Sequence, residues 1–245
     1  MARDIVLHEF VDVTGQNQWA YMEHTKAQGL DARVGFELLG TFYTMGITGR
    51  WPQCVNMWDC GGWEGWRERV DRLNLKRKSN NDLDEWWDEA FKLRSGGFDR
   101  ALASHPASPS CRDAFDGSIR GSLFIHELTE VRPGSADDYL AAVGEQLVPV
   151  LADYGIAPMG LYEVLHTDYE VCVVWAADVD GYIRMNSALD AARGFDVSAE
   201  ADDRLVAWRA TARTWTTRWR EELMTPAPGT AVGPPDWELD QSAQG

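Results

Sequence analysis

Residues 6–13 read VLHEFVDV and residues 124–131 read FIHELTEV. Each sets a His–Glu pair in a short apolar run with β-branched neighbours, the pattern of a strand. Working outward, the first run is followed by TGQNQWAYMEHTKAQGLDARVGFE, LLGTFYTMG and WPQCVNMWDCGGWEGW. The second is followed by RPGSADDYLAAVGEQLVPVLADYGIA, PMGLYEVLH and DYEVCVVWAADVDGYI. His8 and His126 lie 118 positions apart, Gly40 and Gly160 120, and Trp58 and Trp175 117. An offset this steady across a whole unit points to one unit written twice.

Each unit reads strand, glycine-containing turn (Gly15; Pro133-Gly134), amphipathic helix, strand, turn, strong strand, helix. In the second unit Tyr139, Val143, Leu147 and Leu151 recur at steps of four, one face of a helix. Asp137 and Asp138 fall in its first turn, where carboxylates suit the helix dipole. The last helices open near Trp63 and Val179. This is a βαββα, ferredoxin-like unit of the α+β class, with helices on one face of an antiparallel sheet. Two such sheets packed face to face cover each other's bare sides.

Between the units, SNNDLDEWWDEAFKLRSGG reads as a helix, with Ser79 and Asp82 at capping-box spacing and Gly96-Gly97 as its stop. HPASPS reads as a linker. These signals place a first repeat at residues 1–106 and a second at 107–224. In the second, AEADDRLVAWRATARTWTTRWREELM reads as one long helix with Leu205, Trp208, Ala212, Trp215, Trp219 and Leu223 on one stripe. Residues 225–245, rich in Pro and Gly and polar at their end, read as a disordered tail.

The net charge of −16 and the 44 % apolar content describe a globular chain poorly matched to nucleic acid or anionic membranes. No run of apolar residues is long enough to span a bilayer. No secretion signal opens the sequence, so a cytoplasmic location is expected. Cys54, Cys60, Cys111 and Cys172 form no CxxC pair, so their spacing matches no structural zinc site, and they read as buried free thiols. Nucleotide-binding glycine loops and the hydrolase nucleophile elbow are absent.

With that reading in hand, the sequence resembles the NIPSNAP family of the dimeric α+β barrel superfamily. The resemblance is carried by HELTEVRPG, LLGTFYTMG, NMWDCGGWEGWRERVDRL and LRSGGFDRAL and covers most of residues 3–224. It implies two ferredoxin-like units packed as a dimeric α+β barrel, and self-association into a homo-oligomer. It names no single activity. Relatives in the superfamily include cofactor-free monooxygenases, isomerases, cyclases, haem enzymes and binding proteins, and fold alone does not choose among them.

The candidate chemistry is acid–base work on a small apolar or aromatic metabolite held in the barrel cavity, between sheet and helices, without a cofactor. The reaction would be an isomerisation, cyclisation, dehydration or oxygenation. His8 and His126 are the candidate bases and Tyr43 the candidate hydrogen-bond donor. Glu9, Trp58, Trp63, Tyr162 and His24 are candidate substrate contacts. On a strand, His8 and Glu9 point to opposite faces, so one side chain of each pair is turned away from any given cavity. A non-catalytic binding or interaction module is the alternative. A haem protein using His24 or His166 is the third reading, and no metal site is read from the spacing.

Overall fold

A computed structural model describes residues 3–31, 36–71, 81–195 and 198–235. The strands are β1 (Ile5–Val13), β2 (Glu37–Thr44), β3 (Gln53–Asp59), β4 (Arg94–Ser104), β5 (Leu123–Val131), β6 (Ala157–Val164), β7 (Glu170–Ala177) and β8 (Thr216–Pro226). In order around the molecule they run β1-β3-β2-β8-β5-β7-β6-β4 and close into an antiparallel barrel. The helices are α1 (Gln18–Asp31), α2 (Gly62–Arg69), α3 (Asn81–Leu93), α4 (Cys111–Phe115), α5 (Ala136–Ala142), α6 (Val148–Ala152), α7 (Val179–Ala192) and α8 (Asp203–Ala212), with a π-helical stretch, Val143–Leu147, joining α5 to α6. No described helix is long and apolar enough to cross a membrane.

The order strand, helix, strand, strand, helices, strand occurs in both halves of the chain. In the first half β4 and β3 flank β1, and in the second β8 and β7 flank β5. The two four-stranded sheets are joined by short ladders, Phe42–Thr44 of β2 against Met224–Pro226 of β8, and Leu102–Ser104 of β4 against Tyr162–Val164 of β6. Closure removes the open edges that would invite pairing with other chains.

Alternation along the strands divides the side chains into an inner and an outer set. Inside the barrel, Val6, Phe10, Phe42, Met57, Leu102, Phe124, Tyr162, Cys172, Val174 and Met224 pack into one cluster. An eight-stranded barrel is just wide enough for its own side chains to fill, so this interior is a core. Outside, Ile125, Val131, Leu161, Val173 and Trp175 of the second half meet Tyr139, Val143, Leu147 and Leu151, the helical face read from the step-of-four pattern.

Gly40 and Gly160 each sit beside a register shift in the β2–β3 and β6–β7 ladders. The ring two residues on lies back over each glycine. A Cβ on Gly40 would fall 2.5 Å from the Phe42 ring, and one on Gly160 would fall 2.1 Å from the Tyr162 hydroxyl.

Three expectations change. Gly96-Gly97 do not end a helix but lie inside β4, after α3 has stopped at Leu93. A Cβ on Gly97 would meet the Phe10 carbonyl oxygen at 2.0 Å, so glycine serves the close approach of β4 to β1. The long helix expected after Ala199 is a short helix, α8, followed by β8. A step of four is also a multiple of the strand period, so Trp219 and Leu223 share a face on either reading, and the run TWTTRW favours the strand. Finally, Thr225 and Pro226 belong to β8, while Ala227 and Val232 are fully buried against the barrel. The part of the expected disordered tail that is described is therefore packed, Val232 with the interior cluster and Ala227 with Val11, Val13, Tyr21 and Met22 on the outer face. The Ser79 cap lies outside the described residues.

Replacing Gly160 with Ala is expected to cost about 1–3 kcal/mol, the usual penalty for forcing atoms into a filled core. Pairing it with Tyr162→Leu should recover part of that loss. Chemical denaturation of the single and double variants measures the coupling.

Candidate functional site

Each His–Glu pair straddles its sheet, so the two residues enter different environments. His8 and His126 point inward and are completely buried, with ring centroids 4.9 Å apart at an interplanar angle of 80°. Phe10 stacks beside them, 4.6 Å from His8 and 5.5 Å from His126. No ring nitrogen of either histidine has a hydrogen-bond partner. Burial first, and then neighbouring positive charge, drives His8 well below the usual imidazole range and His126 down to about 3. Both are neutral at physiological pH.

Glu9 and Glu127 point outward, under the helices. Glu9 Oε2 accepts hydrogen bonds from Trp58 Nε1 at 2.8 Å and Asn56 Nδ2 at 3.1 Å, and the same Asn56 nitrogen lies 2.9 Å from the Tyr21 hydroxyl. Glu127 Oε1 accepts from the Tyr139 hydroxyl at 2.6 Å and from Thr129 Oγ1 at 3.2 Å, and its Oε2 accepts from Trp175 Nε1 at 3.3 Å. Trp58 and Trp175, matched in the sequence, thus perform the same task in both halves. Burial raises the Glu127 carboxyl and these donors lower it, with burial dominant.

The second half carries a pocket of about 160 Å³ on this outer face, between the sheet and α6, α7 and α8. Ile125, Leu151, Trp175, Met185, Leu189 and Trp208 supply its apolar walls. Its polar wall is Glu127 together with Glu221, which stand directly opposite one another on β5 and β8. Like charges directly opposite across a ladder repel. Burial, and secondarily the Glu127 charge, push the Glu221 carboxyl up to about 7. Arg209 and Arg213 lie at the rim, and the Arg209 guanidinium sits 5.4 Å from the centre of the half-exposed Trp219 ring.

The sequence-derived candidates disperse over the molecule. His8 and His126 meet, but inside the barrel, on the far side of the sheet from this pocket. Tyr162 is also inside, in the apolar core. Tyr43 is half-buried against Trp19, with ring centroids 4.9 Å apart. Trp58 is fully buried as the Glu9 donor, and Trp63 is 52 % exposed at the start of α2, so neither walls the pocket. His24 stacks on Trp86, its Nε2 3.3 Å from the Trp86 carbonyl oxygen, and His166 occupies a turn with a positive φ. The barrel interior is filled with side chains, and the open space lies between the sheet and the helices, one of the places expected for it. Glu221, Tyr139, Arg209 and Trp219 were missed. Glu221 was hidden by reading β8 as a helix, and the strand pattern Trp219-Glu221-Leu223 would have set it beside Glu127.

No histidine or cysteine lines the pocket. Its donors do not fit a histidine-ligated haem.

No family profile and no curated protein matches the sequence. Solved structures do match. One is a candidate monooxygenase from Fusobacterium nucleatum subsp. nucleatum, with a TM-score of 0.57 and 10 % identity over 92 % of this chain and 93 % of the other. A candidate monooxygenase from Lactobacillus acidophilus gives 0.59 and 8 % over 92 % and 94 %. An anthrone oxidase-like protein gives 0.57 and 12 % over 96 % and 97 %. The likeness is one of fold, an α+β chain with an eight-stranded antiparallel sheet and several helices.

The Glu221 carboxyl makes a pH prediction. Its folded value lies above the ordinary carboxylate value of 4.5, so the folded state holds a proton that the unfolded state has released. Its contribution to stability is therefore full below pH 4.5 and is lost as pH rises to about 7. Denaturation curves across that range should show Glu221→Gln gaining on the wild type as pH rises, with the difference level above pH 7.

Proposed function

We propose that this chain is a cofactor-independent enzyme whose working step is proton transfer at an activated carbon of a small apolar or aromatic molecule. The observation that carries this reading is the Glu127–Glu221 pair on the wall of an otherwise apolar pocket. An apolar cavity of roughly 150 Å³ is enough to take up a benzene-sized ring, and the exposed rim beside Trp219 leaves room for a longer ligand to project. Two copies of a ferredoxin-like unit, each closing the other's sheet, provide the scaffold. The narrower resemblance to the NIPSNAP family fits this scaffold and adds no activity to it.

In this reading Glu221, as carboxylate, removes a proton from a carbon next to a carbonyl or from a phenolic hydroxyl. A carboxylate in a dry pocket is a stronger base than one in water, because burial disfavours its charge. Glu127, fixed by Tyr139, Thr129 and Trp175, keeps its geometry while Glu221 changes protonation. The Arg209 guanidinium at the rim stabilises the negative charge that develops on the substrate oxygen. Reprotonation elsewhere on the anion gives an isomer, and attack on molecular oxygen gives an oxygenated product. Anthrone is a fitting probe of the second course, since one anthrone and one O2 yield one anthraquinone and one water. The two candidate-monooxygenase neighbours and the anthrone oxidase-like neighbour support trying it first.

Oxidation of anthrone, followed by absorbance, is expected to be accelerated by the wild-type chain, with a rate that rises through about pH 7 as Glu221 ionises. Glu221→Gln should lower kcat by about 10²–10⁴, the usual worth of a positioned base. Tyr43→Phe, on the other half, should leave it unchanged. An equal loss in both variants would contradict this site. Failure of anthrone together with binding of other one- and two-ring ketones would move the substrate and keep the pocket.

A further inference from the structure

The barrel interior contains an arrangement that packing does not explain. His8, His126 and Cys172 each offer one donor atom, and these atoms lie within 4.8 Å of one another. All three residues are completely buried. Four imidazole nitrogens at one place lack any hydrogen-bond partner, although buried polar groups are almost always satisfied. The strands that place them are β1, β5 and β7, so the three donors come from both sheets of the closed barrel.

We propose that His8, His126 and Cys172 form a metal site inside the barrel that takes a borderline-soft divalent ion, Zn2+ or its close analogues. Two imidazoles and a thiolate are the donors such ions prefer, and hard ions such as Ca2+ and Mg2+ require oxygen. Metal–donor lengths of about 2.0–2.3 Å place neighbouring donors about 3.3–3.8 Å apart around a tetrahedral ion, so small side-chain rotations bring the three donors to coordination distance and leave the fourth position open. On binding, the Cys172 Sγ–H bond breaks, an Sγ–Zn bond forms, and the proton leaves to solvent.

The charged side chains nearest the site are paired with one another. Glu222 is completely buried, and its Oε2 lies 4.0 Å from His126 Nδ1. Arg220 reaches Glu222 Oε1 at 2.9 Å. Arg100, which faces the same interior, is paired with Glu170 at 2.9 Å. These two pairs neutralise each other's members, so a divalent ion with one thiolate leaves a single positive charge, spread over two imidazoles. The site is closed off from the outer-face pocket by the sheet itself. Its role is to tie β1 of one sheet to β5 and β7 of the other.

The test is metal content and ligation of the full-length chain, produced in zinc- or cobalt-supplemented medium. Elemental analysis should give one ion per chain, and the cobalt form should show a thiolate-to-cobalt charge-transfer band. Cys172→Ser should abolish that band. His8→Ala and His126→Ala should each weaken zinc affinity by at least tenfold in competition with a chromophoric chelator. His24→Ala and His166→Ala should change neither. Circular dichroism of each variant checks folding, and Cys172→Ala provides a second substitution at the thiol should serine disturb the core. A folded chain that takes up no ion, or a cobalt spectrum unaltered in both Cys172 variants, overturns the proposal.

Discussion

The structure depends on one constraint, the opposite orientation of neighbouring side chains along the central strands β1 and β5. A His–Glu pair on such a strand must send one side chain into the barrel and the other beneath the helices. The outward Glu is costly to bury, and each half meets that cost in the same way, by an indole N–H donated from the neighbouring strand, Trp58 to Glu9 and Trp175 to Glu127. The inward His lies on the face that becomes core once the two sheets close on each other. A slip of one residue in either strand would exchange these environments, placing a carboxylate among Val6, Phe10 and Phe124. The repeated dipeptide is therefore a register mark, and the barrel closes only when both marks are read correctly.

This is also why the architecture was legible in the sequence and the site was less so. The constant spacing between His8 and His126, Gly40 and Gly160, and Trp58 and Trp175 reflects backbone requirements that any copy of the unit must meet. Those requirements leave a trace at fixed positions. The pocket follows from a different cause, the way α8 and β8 divide residues 203–226. Apolar residues at steps of four satisfy a helix face and a strand face equally. Only the cluster of Thr and Trp residues between Ala212 and Trp219 distinguishes them. Reading that segment as a single helix hid the outward alternation of Trp219, Glu221 and Leu223, and with it the carboxylate facing Glu127.

The histidines show the complementary limit. Their pairing as two copies of one position was visible, yet their meeting was not, because it depends on how the two sheets cross. Cys172 is a further step removed. It sits in an apolar run that by itself calls for nothing but burial, and it becomes a donor only through the β5–β7 register, where it lies opposite Leu128 and two residues from the partner of His126. Chemistry assembled across sheets leaves little pattern along the chain.

The two halves differ where function is expected to differ. Opposite Glu9 the β3 residue is Asn56, and opposite Glu127 the β7 residue is Val173. Asn56 places an amide between Glu9 and Tyr21 and draws Thr41 into the same network, its hydroxyl 2.6 Å from Asn56 Oδ1. Val173 can do none of this, so Tyr139 reaches Glu127 directly. On the other flank the contrast is as sharp. Glu9 is opposite Asp99, which is exposed, whereas Glu127 is opposite Glu221, which is roofed by α8. The first half consumes its buried carboxylate in a closed hydrogen-bond network. The second pairs its carboxylate with another beside open apolar space, and that asymmetry, imposed on a shared backbone plan by a few substitutions, is what sets the proposed site in the second half, with Glu221 rather than Glu127 free to change protonation.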